Sequence, residues 1–169
     1  FFAHEVAHLY QPGNTDGVSE NNEQSWLHEG NADYFAALAM NFLYEDTSSY
    51  VENRTIRAFE SCIEGLEQTT LANAYKTGHF NLYYSCGMIM HRAIDNVVQQ
   101  KTFGEESLFT VWQRLQKAVS KGIPPGTTTF LTLLEPYNAP ELMKAINDAT
   151  RNDALKAIQG IEALYQMNQ

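Results

Sequence analysis

The chain of 169 residues is long enough for one domain with its own hydrophobic core. Its hydrophobic fraction of 44% and charged fraction of 18% are typical of a globular protein. The net charge is −9, from 20 acidic and 11 basic residues with no basic run, and nucleic-acid binding requires clustered Lys and Arg. The composition therefore predicts no nucleic-acid partner, and the lack of a long apolar stretch predicts no transmembrane segment.

Apolar residues recur at helical spacing along almost the whole chain, so the predicted fold class is all-α. Pro12-Gly13 should end the first helix, and the polar loop 14–17 follows it. Ser48 or Ser49 is placed to cap the third helix. The helices predicted in the first half span residues 1–10, 24–44, 50–66 and 69–76.

The second half continues the helical pattern, with one brief strand considered near Phe80. Residues 123–126 carry two prolines and a glycine and mark a clear break. Pro140 is placed as a proline in the first turn of a helix should be. The helices predicted here span residues 81–98, 108–119, 128–134, 140–149 and 152–165.

The chain contains two cysteines, Cys62 and Cys86, and no CxxC motif. Two alternatives remain open at this point: a pair of free thiols buried in helices, or a single disulfide. The redox compartment is therefore undetermined.

The residues His4-Glu5-Val6-Ala7-His8 form an HExxH motif. Because residues four apart share one face of a helix, both imidazoles can reach one ion while Glu5 lies beside it. Imidazole nitrogens suit Zn²⁺, and a nearby carboxylate can take a proton from metal-activated water. The motif predicts His4 and His8 as zinc ligands and Glu5 as general base, the alternative being a chance grouping on a solvated helix face.

Glu29 is the predicted third ligand, since a catalytic zinc generally has three protein ligands and one open position. Twenty residues separate it from His8, enough for a loop and a return onto a second helix. Asp33 follows four residues later on the same face and can accept the free N–H of His4 or His8, which orients the ring. Without a metal, Glu29 and Asp33 would be ordinary exposed acids on a helix.

An HExxH motif followed by a glutamate on the next helix resembles the gluzincin metallopeptidases, which include thermolysin-like enzymes and the M1 and M61 aminopeptidase families. The stretch Trp26-Leu27-His28-Glu29-Gly30 resembles the WLNEG-type segment of M1 enzymes, and Glu29 with Asp33 resembles the ExxxD of thermolysin. The resemblance implies zinc, a peptide or protein substrate, and the helical subdomain of a gluzincin catalytic domain. The chain departs from the pattern in a longer gap before Glu29, and in His28, where asparagine is common.

Tyr84-Ser85-Cys86-Gly87 is similar to the YxxG of M1 and M61 enzymes, in which the tyrosine hydroxyl stabilises an oxyanion. The similarity implies that Tyr84 is the oxyanion donor. A core tyrosine is the alternative, and His79 is a rival donor. His28 is expected at the surface rather than in the cleft, and His91 is expected in helix packing.

Together these features predict a zinc peptidase in which Glu5 removes a proton from the attacking water and passes it to the leaving amine. Residues 1–169 are interpreted as one α-helical metallopeptidase domain, a fragment of a longer protein because Phe1 lies inside the first predicted helix. An N-terminal lobe absent from this chain is expected to complete the cleft. No acidic motif for a substrate amine is visible, so aminopeptidase and endopeptidase activities both remain open.

Two readings from other functional classes accompany this prediction. In the first, the chain is a catalytically silent, zinc-stabilised helical binding domain whose cleft serves a partner. In the second, it is a helical interaction module in which HExxH is accidental.

Overall fold

The computed structural model of the protein describes residues 2–12, 25–44 and 49–168, and these residues form helices and no strand. The all-α prediction is therefore confirmed for this part of the chain. Phe80, where a brief strand was considered, lies in the turn that precedes the longest helix. No helix within the described ranges is long and apolar enough to cross a membrane.

The helices of the first half are α1 (Phe2–His8), α2 (Ser25–Leu43), α3 (Tyr50–Leu66), α4 (Ala74–Thr77) and α5 (Asn81–Lys101). Those of the second half are α6 (Leu108–Val119), α7 (Thr127–Thr132), α8 (Pro140–Ala149) and α9 (Ala154–Gln166), with a 3₁₀ turn at Glu135–Tyr137. Most bounds lie within a few residues of the prediction. The exceptions are α4, which is half as long as predicted, and α5, which continues three residues further.

Some predicted features fall outside the described residues. These are the loop 14–17 and Ser48, together with Phe1 and Gln24 at the predicted starts of two helices. Ser49 precedes α3, and its side chain makes no capping hydrogen bond.

The core is built around α5, which packs against α2, α3 and α9. A helix with apolar residues on most of its circumference is stable only when other elements cover it on several sides. Thirteen of its residues are buried, so α5 forms the axis around which the other helices are arranged.

The crossing of α2 and α5 is unusually close because a glycine of each helix lies against the other. A Cβ on Gly30 or Gly87 would overlap the backbone of the opposite helix. Glycine is the residue that permits such an approach. The crossing brings Glu29, next to Gly30, close enough to Tyr84, one turn before Gly87, for its charge to act on the tyrosine hydroxyl.

Cys62 and Cys86 form a disulfide that joins α3 to α5. Both residues are completely buried. The structure therefore has the bridged form of the two alternatives that the sequence left open.

Candidate metal centre

Helices α1 and α2 bring His4, His8 and Glu29 together at one point. The Nε2 atoms of His4 and His8 lie 3.1 Å apart. The Oε2 atom of Glu29 lies 3.2 Å from the first of these nitrogens and 3.5 Å from the second. Among the described residues, these three form the one group of His, Cys, Asp and Glu side chains with the spacing for a metal ion.

The triangle formed by these three atoms has the size that zinc coordination requires. Zinc binds imidazole nitrogen and carboxylate oxygen at about 2.0–2.2 Å, so two ligands of a tetrahedral ion lie about 3.3 Å apart. The three distances between the atoms, 3.1, 3.2 and 3.5 Å, bracket that value. The three donor atoms are therefore spaced as three ligands of one tetrahedral zinc ion would be.

Asp33 orients His4. The Nδ1–H of His4 donates to Asp33 Oδ1 at 2.9 Å, which leaves Nε2 directed at His8 and Glu29. Arg54, which the sequence did not single out, donates to the other oxygen of Asp33 at 3.0 Å. Of the two histidines that Asp33 was predicted to orient, the structure pairs it with His4.

Gln11 is the hydrogen-bond partner of His8, as Asp33 is of His4, and the sequence analysis did not predict it. Its Oε1 atom lies 2.7 Å from His8 Nδ1. A polar residue three positions after a ligating histidine, within reach of its ring at the end of a helix, is the signal that could have found it.

His28 is buried, so the expected surface position is wrong. Only 3% of the residue is exposed, because its ring packs edge-on against Trp112 of α6. Burial, together with the nearby His8, lowers the pKa of His28 to about 4. The imidazole is therefore neutral at physiological pH.

Hydrogen bonds join His4, His8 and Glu29 to one another and shift their pKa values. Hydrogen bonds to Asp33 and Glu29 raise the pKa of His4 to about 9, and a hydrogen bond to Glu29 raises the pKa of His8. Burial raises the pKa of Glu29, but hydrogen bonds from both histidines outweigh it and bring the pKa down to about 2. Glu29 is thus a carboxylate at all physiological pH values, as a metal ligand must be.

Glu5 and Tyr84 line a cavity of about 360 Å³ that is also lined by His4 and Asp33. The ring of Tyr84 stacks on that of His4 with centroids 5.7 Å apart. Burial, followed by the charge of Glu29 and a hydrogen bond to it, raises the pKa of Tyr84 to about 12. The hydroxyl therefore keeps its proton and can donate it in a hydrogen bond.

The remaining histidines lie apart from this cavity. The ring of His79 contacts Thr77 and Gln68, each at 3.0 Å, and it does not line the cavity. His91 is completely buried in α5, so its predicted role in helix packing is confirmed.

Comparison of this chain with protein-family models, with curated proteins and with solved structures finds no match.

Proposed function

We propose that this protein is a zinc-dependent peptidase of the gluzincin type, with His4, His8 and Glu29 as ligands. The proposal rests chiefly on one observation, the spacing of 3.1 to 3.5 Å between their three donor atoms. Asp33 supports it by turning the Nε2 lone pair of His4 towards the ion. The substrate class is a peptide or protein, and an N-terminal lobe would complete the cleft.

The residues that line the cavity divide the chemistry between them. When bound, zinc acts as a Lewis acid and supplies an activated water. Glu5 takes the proton from the attacking water and delivers it to the leaving amine, so that it is a base first and an acid afterwards. Tyr84 donates its hydroxyl proton in a hydrogen bond to the oxygen on which negative charge develops.

The positions of Glu5 and Tyr84 support their proposed roles as general base and oxyanion donor. Glu5 is exposed to solvent and lines the cavity, where water and substrate could both reach it. The two residues are close enough for the charge of Glu5 to act on the Tyr84 hydroxyl. Both side chains therefore line the cavity in which the reacting group of a substrate would lie.

A first experiment measures metal content. The full-length protein is expected to hold one zinc per chain and to lose it in His4→Ala, because two ligands cannot retain the ion. The matched variant His79→Ala, which removes a histidine outside the site, is expected to keep the zinc. Absence of zinc from the wild-type protein would leave HExxH as an accident of sequence.

A second experiment compares the full-length protein with Glu5→Gln on a mixed peptide library. We expect both to hold zinc and the variant to lose at least about 100-fold in kcat/KM, because proton transfer by a general base contributes on that order. Glu60→Gln, an exposed change on α3, is the matched control. If wild type and Glu5→Gln cleave equally, or if neither cleaves while both hold zinc, the chain is a zinc-stabilised binding domain instead.

A further inference from the structure

Gln11 lies between two imidazole rings, and one of them belongs to a zinc ligand. Its Oε1 atom is 2.7 Å from Nδ1 of His8 and 3.0 Å from Nδ1 of His28. Its Nε2 atom donates to the backbone carbonyl oxygen of His28 at 2.9 Å. Both residues are nearly inaccessible, with 6% of Gln11 and 3% of His28 exposed.

The orientation of the Gln11 amide follows from these partners. A backbone carbonyl oxygen only accepts hydrogen bonds, so the NH₂ group of Gln11 must face His28 O. Its own oxygen then faces both rings and accepts from each. Since an amide oxygen cannot donate, His8 and His28 must both carry their proton on Nδ1.

This arrangement decides which nitrogen of His8 is free for a metal. Because Nδ1 keeps its proton against Gln11, Nε2 is the nitrogen of His8 that can release its proton and offer a lone pair to a metal. It lies 3.1 Å from His4 Nε2 and 3.5 Å from Glu29 Oε2. His4 reaches the same state by donating to a carboxylate, that of Asp33. The two zinc ligands are therefore oriented by different groups, one charged and one neutral.

We propose that Gln11 and His28 are positioning residues that act as one neutral unit: His28 holds the Gln11 amide, and Gln11 fixes the tautomer and ring orientation of His8. The inference rests on the proposed zinc site and concerns how that site is assembled. It gives a role to His28 at the position where WLNEG-type segments have asparagine. An imidazole there reaches the turn after α1, where it contacts Gln11, three residues after His8.

The test is the zinc affinity of the full-length protein, measured by competition with a chromophoric chelator. Gln11→Leu is expected to bind zinc about 10- to 100-fold more weakly, the usual cost of losing such a partner. Gln11→Glu keeps an acceptor for His8 and is expected to recover most of that loss. Gln113→Leu is the matched control, because Gln113 is exposed and lines the same 180 Å³ cavity as Gln11.

A second variant and a spectroscopic signal separate positioning from folding. His28→Phe keeps a ring against Trp112 but removes the N–H, and we expect a severalfold loss of zinc affinity with an unchanged helical circular-dichroism spectrum. In the zinc-loaded wild type, the Nδ1 proton of His8 should give a slowly exchanging low-field NMR signal. That signal should disappear in Gln11→Leu and persist in Gln113→Leu.

The outcomes distinguish this inference from the proposed function. If wild type binds zinc and both Gln11→Leu and His28→Phe bind it within twofold of that affinity, the positioning role is wrong and the zinc site stands. If wild type binds no zinc, both proposals fall together.

Discussion

His4 and His8 are equivalent in the HExxH motif but unequal in the folded protein. His4 donates to the carboxylate of Asp33, which Arg54 also contacts, whereas His8 donates to the amide of Gln11. The motif predicts that both rings reach one ion because the four-residue spacing is a property of the helix itself. Which group orients each ring depends on how α2 lies against α1, and no local spacing specifies that.

A prediction at the scale of one residue concerns His91 and acid. Its Nδ1 atom hydrogen-bonds to the carbonyl oxygen of Gly87 at 2.8 Å, and its ring packs against Trp26 and Phe130. Burial lowers its pKa to about 3, below the value of about 6.5 expected in the unfolded chain. Between these values the unfolded chain binds a proton that the folded protein does not, so the free energy of unfolding falls as pH falls.

We therefore expect His91→Asn to reduce the dependence of the free energy of unfolding on pH. One proton corresponds to about 1.4 kcal/mol per pH unit, and the slope between pH 6 and pH 4 should decrease by nearly that amount. Urea unfolding at several pH values measures this slope. The control variant is His79→Asn, because His79 lies outside the core. Equal slopes in the wild type and the His91 variant would show that this histidine is protonated in the folded state.

At the scale of helices, the crossing of α2 and α5 determines the geometry of the site. Gly30 follows Glu29, the proposed third ligand, and Gly87 lies one turn after Tyr84, the proposed oxyanion donor. The contact between the two glycines therefore controls how far apart Glu29 and Tyr84 lie. A Cβ on either would meet backbone atoms of the opposite helix. Backbone cannot move aside as the end of a side chain can, so one added methyl group must push the helices apart.

Gly87→Ala is therefore expected to lower the free energy of unfolding by about 1–3 kcal/mol, the usual cost of overpacking, and to weaken zinc binding. Gly65→Ala is the matched control, because its added Cβ would meet only the side chain of Leu82. Leu82 can change rotamer, and alanine is favoured over glycine inside a helix by about 1 kcal/mol. If both variants unfold at the same urea concentration, the crossing of α2 and α5 accommodates an added methyl group at Gly87, and our inference about this contact is wrong.

At the scale of the whole molecule, the Cys62–Cys86 disulfide joins α3 to the central helix α5. The two cysteines are separated by 24 positions in sequence, so the bridge closes a loop of moderate length in the unfolded chain. Such a bridge restricts the unfolded state and typically stabilises a fold by about 2–4 kcal/mol.

We expect the double variant Cys62→Ala/Cys86→Ala to be less stable than wild type by an amount in this range. Denaturant unfolding with and without a reducing agent measures it. The reducing agent should destabilise the wild type and leave the double variant unchanged. A wild type that does not respond to reduction under unfolding conditions would contradict the bridge.

The amino-acid sequence by itself determined the features that depend on local spacing. Helical periodicity predicted the fold class and most helix positions, because each α-helix satisfies its backbone through residues four apart. The same spacing predicted that His4 and His8 share a face, and that Glu29 and Asp33 share another. These relations hold within one helix, whatever it packs against.

Only the tertiary structure decided what depends on contacts between helices. The pairing of Asp33 with His4, the burial of His28 behind α6 and its link to Gln11, and the bridge between Cys62 and Cys86 all join residues of different elements. Such contacts follow from how helices cross, and the crossing here depends on two glycines that carry no periodic signal. Spacing in the sequence therefore indicated the candidate ligands, and packing decided which residues orient them.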